Sequence, residues 1–68
     1  MHKIKVGKTG SAYFSDDLRA EGYVGELEAR PNACALVILK PGAKLRHVIR
    51  SLEILKEDFQ HRIEMGEE

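Results

Sequence analysis

Ile4 and Val6 alternate with Lys3 and Lys5, the period of two that marks a half-buried strand with its lysines together on the opposite face. Gly7 and Gly10 bracket a turn, and Ala12 to Phe14 reads as a second short strand. Ser15, Asp16 and Asp17 then start a brief helix, the hydroxyl as its cap and the two carboxylates in its positive first turn. The helix carries Leu18 and Arg19 and stops near Gly22, a residue suited to a left-handed cap. After a turn at Gly25, Glu26 to Arg30 predicts a third strand, Pro31-Asn32 a turn, and Cys34 to Leu39 an apolar fourth strand that Lys40-Pro41-Gly42 ends.

Beyond Gly42 the period changes. Leu45, Val48, Ile49, Leu52, Leu55, Phe59 and Ile63 are spaced by helical intervals and predict one long amphipathic helix. Roughly 20 residues at about 1.5 Å each make it about 30 Å long, as large as the strand-rich part itself. Its apolar stripe therefore needs a partner surface, and Leu45, Val48, Ile49, Leu52, Leu55 and Phe59 are the residues expected to meet it. The order is β-β-α-β-β-α, without internal repeat or low-complexity tract. A strand-rich unit is expected over 1–41, an oligomerisation helix over 42–65 and a frayed tail over 66–68.

Size changes this picture from a monomer to an assembly. A chain of 68 residues is one domain at most and buries little apolar surface alone. With Cys34 as its one cysteine it cannot close an intramolecular disulfide, and no cysteine and histidine cluster offers a structural zinc site. Oligomerisation is the remaining source of stability. No apolar run approaches the roughly 20 residues of a membrane span, and the amino terminus lacks signal-peptide features, so a cytoplasmic protein is expected.

Eleven basic and eleven acidic side chains cancel, which argues against coating nucleic acid by bulk charge. Their distribution is uneven. Lys3, Lys5 and Lys8 form one acid-free stretch and Lys40, Lys44, Arg46 and Arg50 another, whereas Ser51 onward carries Lys56 and Arg62 against Glu53, Glu57, Asp58, Glu64, Glu67 and Glu68. In the long helix this order is the reverse of what the helix dipole favours. Arg46 with Arg50 and Glu53 with Glu57 are also like-charge pairs at four-residue spacing. Either an antiparallel helix of another subunit or DNA against the basic half would compensate; the first is expected. A helix packed on its own subunit with a solvated charged face is the other arrangement the pattern allows.

The run Ile4-Lys5-Val6, then Gly10-Ser11-Ala12-Tyr13-Phe14-Ser15-Asp16-Asp17-Leu18-Arg19, Gly25 to Leu27 and Val37-Ile38-Leu39-Lys40-Pro41 resembles the AbrB/SpoVT/MazE family of swapped-hairpin DNA-binding domains over about the first 41 residues. The resemblance implies a mostly β fold with α: a double-psi-like barrel made by two interleaved subunits, followed here by the long helix. It implies a homodimer on double-stranded DNA, with Lys5, Lys8 and Arg19 as contacts and Lys3 and Arg30 as further ones. Many members carry Arg after the turn glycine where this chain has Ser11, and Pro at the helix entry where it has Ser15. The binding mode carries over; the sequence preference does not, because an arginine fork is a strong reader of guanine and phosphate.

Read without the family, lysines alternating on a strand are either a phosphate grip or a solvated edge that blocks strand addition. The glycines around Lys8-Thr9 match no phosphate-binding loop motif and read as turn residues. Enzyme chemistry is not expected. Asp16 and Asp17 are adjacent on a helix start and project in different directions, and His47 and His61 lie about 21 Å apart on one helix, too far to share a metal ion. Cys34 is expected to be a small core residue. No cofactor or metal is expected. The leading function is a transcription regulator of the AbrB type. An antitoxin whose helix binds a toxin is the alternative, and a structural oligomerisation module without nucleic acid is the third reading.

Overall fold

The computed structural model describes residues 4–68. Strand β1 (Ile4–Val6) pairs antiparallel with β2 (Ala12–Phe14), matching Ile4 with Phe14, Lys5 with Tyr13 and Val6 with Ala12. One face of this hairpin is therefore apolar, and Lys5 and Tyr13 occupy the other. The connecting loop is closed by the Gly7 amide donating to the Ser11 carbonyl at 2.7 Å and the Gly10 amide donating to the Gly7 carbonyl at 3.0 Å. Gly10 holds φ at 89°, a conformation that costs other residues a steric clash at Cβ.

Helix α1 (Asp16–Ala20) follows at once, and the Ser15 hydroxyl caps it by accepting from the Leu18 amide at 3.4 Å. Its far end has Gly22 at φ 107°, with the Tyr23 amide donating to the Leu18 carbonyl and the Gly22 amide to the Arg19 carbonyl. This pair of bonds is the Schellman closure, and it turns the chain so that Tyr23 lies half-buried beside the second hairpin.

Strand β3 (Glu28–Pro31) pairs antiparallel with β4 (Leu36–Leu39), in the register Glu28 with Leu39, Ala29 with Ile38, Arg30 with Val37 and Pro31 with Leu36. The strands are offset from the sequence expectation. Pro31 ends β3 instead of opening the turn, because its fixed φ suits an extended edge position and it biases Arg30 toward extended backbone as well. The turn moves to Asn32–Ala35, where the Asn32 amide donates to the Ala35 carbonyl at 2.8 Å and the Asn32 side chain accepts from the Ala33 amide at 2.7 Å. Cys34 thereby lies exposed in this turn, not in a core.

Helix α2 (Leu45–Glu64) is a continuous 20-residue helix, as its periodicity predicts. Lys44 occupies its N-cap position without a side-chain cap bond, and no acid lies in its first turn. Its C-terminus repeats the Schellman closure, with Gly66 at φ 87° donating to the Ile63 carbonyl and the Glu67 amide donating to the Arg62 carbonyl. Arg62 and Glu67 also form a side-chain ion pair.

The architecture is thus four short strands in two antiparallel hairpins that do not join into one sheet, with a C-terminal helix. Helix outweighs strand, so the fold is mixed α and β and not mostly β: α2 alone has 20 residues where each strand has three or four. No described residue is buried. The radius of gyration is 13.7 Å, against about 11 Å for a compact chain of this length. No described helix is long and apolar enough to cross a membrane.

Candidate nucleic-acid interface and open grooves

Two lysines lie on the first hairpin. Lys5 projects from the face opposite Ile4 and Val6, and Lys8 sits in the loop at the hairpin tip. Among the described residues neither makes an ion pair. Lys3 lies outside the described residues.

The remaining proposed contacts have partners on their own subunit. Arg19 pairs with Asp16 one helical turn earlier and keeps its side chain half-exposed. Arg30 lies 3.9 Å from Glu28, two residues away on the same face of β3. Both pairs are exposed, so solvent screening leaves each weak and exchangeable for another anion. Lys40 has two neighbours, its ammonium 3.7 Å from the Glu21 carboxylate and 5.3 Å from the centre of the Tyr23 ring.

An apolar groove of about 560 Å³ lies between the two hairpins, lined by Phe14, Tyr23, Val24, Leu27, Leu36 and Ile38. A second groove of about 450 Å³ separates the second hairpin from α2 and is lined by Tyr23, Val37, Leu39, Val48, Leu52 and Leu55. Strand β4 is the wall between them. Leu36 lines the first groove, Val37 and Leu39 line the second and Ile38 lines both, which explains why Leu36-Val37-Ile38-Leu39 is apolar without interruption. Tyr23 touches both grooves and was not singled out by the sequence. The available signal was its place just after the helix-ending Gly22, where an apolar side chain commonly packs back on the helix.

Along α2, Val48 is the half-buried residue; Leu45, Ile49, Leu52, Leu55 and Phe59 are exposed. The cations of its first half, Arg46 and Arg50, make no ion pair among the described residues, and neither does Lys56. At its far end the Arg62 guanidinium lies 5.4 Å from the centre of the Phe59 ring. The bond to Glu67, with its opposite charge, raises Arg62 above its ordinary pKa, and the bond from Arg62 holds the Glu67 carboxyl below the usual range.

No family model matches this chain, and no curated protein or solved structure shows significant similarity to it.

Proposed function

We propose that this chain is a homodimeric, cytoplasmic DNA-binding transcription regulator of the AbrB type, in which two copies interleave their hairpins into one swapped-hairpin barrel. The observation that carries the reading is the first hairpin: Ala12 and Phe14 of its apolar side line an open groove, while Lys5 on the other face and Lys8 at the tip have no ion pair among the described residues. With no buried residue among those described and two separate hairpins, one copy lacks the apolar burial that offsets the entropy of folding. A second copy's hairpin supplies it by filling the groove between Phe14, Leu27 and Ile38.

Two-fold symmetry doubles the lysine face, so Lys3, Lys5 and Lys8 of both copies track phosphates, and Arg19 exchanges Asp16 for a phosphate at the groove's edge. Arg30 is a peripheral contact under the same exchange with Glu28. Fluorescence anisotropy with a labelled duplex tests this. Lys5→Ala, Lys8→Ala and Arg19→Ala combined should weaken binding at least about thirtyfold at low salt. Unchanged binding in that variant, or none in the parent, sinks the reading. The antitoxin reading has less support, since α2 is already a continuous helix, whereas toxin-binding tails fold on contact.

A further inference from the structure

We infer that α2 pairs antiparallel with α2 of a second copy, along a seam of Leu45, Ile49, Leu52, Phe59 and Ile63. The seam lies beside the face that α2 turns toward its own hairpin. Val48, Ser51 and Leu55 line the groove against β4, and at about 100° per residue they occupy an arc centred about 85° away from the seam. Leu52 lies at the boundary. The seam residues are exposed at 72% for Leu45, 59% for Ile49, 41% for Leu52, 53% for Phe59 and 54% for Ile63.

Charge identifies the occupant as a second α2 in antiparallel sense. The helix begins with no acid in its first turn and no side-chain cap, under Lys44, Arg46 and Arg50, and it carries Glu53, Glu57, Asp58 and Glu64 later. In an antiparallel pair with its two-fold axis level with Ile54, residues whose numbers add to about 108 lie side by side. Leu45 then meets the partner's Ile63, Ile49 meets the partner's Phe59, and the stem of Lys56 covers the partner's Leu52. The same register sets Arg46 beside the partner's Glu64 and Lys56 beside the partner's Glu53, since equal flanks face each other across such an axis. Arg46, Glu53 and Lys56, which have no ion pair among the described residues of one chain, acquire partners in two. A parallel pair would set Lys56, near the middle of the seam, against the partner's Lys56, and would turn Arg46 toward the partner's opposite flank, away from the partner's Glu64. The acidic end of the partner also lies against the uncapped, basic start of the helix.

This pairing deepens the homodimer reading and does not depend on DNA. It is tested with full-length chains in a Cys34→Ser background, one carrying Leu45→Cys and the other Ile63→Cys, mixed and oxidised at equal concentration. Disulfide formation requires close approach of the two Cβ atoms, and both positions are exposed, so circular dichroism should show the parent helix content. The expected product is the disulfide between positions 45 and 63, identified by peptide mapping, in at least about tenfold excess over 45–45 and 63–63 products. Predominant 45–45 and 63–63 products, or no cross-linked dimer, would overturn the inference. Arg46→Glu should reduce the 45–63 product severalfold, and adding Glu64→Arg should restore it; no rescue contradicts the register. Duplex binding by the same samples keeps the two proposals apart: loss of DNA binding with the cross-link intact removes the regulator and leaves the helix pair.

Discussion

Asp16 carries a consequence at the scale of single residues, because it neutralises the one arginine proposed to face DNA from α1. Asp16→Asn should free Arg19 and remove an anion from that surface, tightening duplex binding at low salt by about two- to fivefold in anisotropy titrations. The same change should cost α1 a few tenths of a kcal/mol, roughly, through lost dipole compensation. At the other end of the chain the Arg62–Glu67 pair links the last turn of α2 to pH. A carboxyl held below its ordinary pKa stabilises above the unfolded value and loses that contribution as pH falls through its folded value. The amides of Gly66 and Glu67 should therefore show lower protection, as exchange rates divided by the intrinsic rate at each pH, below the usual carboxylate range than at neutral pH, and Glu67→Gln should abolish the difference. Arg62 stays protonated throughout, so it sets no transition in that window.

Among the elements, α2 starts without the usual support: Lys44 holds the cap position without a capping bond and no acid follows in the first turn. Lys44→Asp should supply both the missing acceptor and a favourable charge, stabilising the helix by about 1 kcal/mol, read as a higher thermal midpoint by circular dichroism. Elements with a local cause were legible in the sequence. The Ser15 cap, the stop at Gly22, and the full length of α2 follow from a hydroxyl, a glycine and a seven-position apolar stripe. The second hairpin was less legible, because Pro31 serves a strand end as well as a turn and Cys34 carries no preference strong enough to place it. Of the candidate site, the Lys5 face was readable from alternation alone. Arg19 with Asp16, Arg30 with Glu28 and the double role of Tyr23 depend on which side chains the backbone brings together, which spacing does not specify.

Taken whole, the chain is a set of hairpins and a helix whose apolar surfaces outnumber the partners it can provide for itself. Stability should therefore rise with protein concentration, each tenfold increase raising the thermal midpoint by a few degrees, roughly, as mass action favours the assembled state. A midpoint independent of concentration would mean that one copy folds alone. In the proposed assembly the barrel and the helix pair would give the two apolar regions separate roles, one presenting lysines to DNA and one joining copies. The central claim is that paired copies hold duplex DNA through phosphates, and the salt dependence of duplex binding tests it most directly. With six to eight phosphates neutralised by one dimer, affinity should fall on the order of a thousandfold or more between 50 and 200 mM salt, at two chains per site. A flat salt dependence, or no duplex binding at 50 mM salt, would contradict the account.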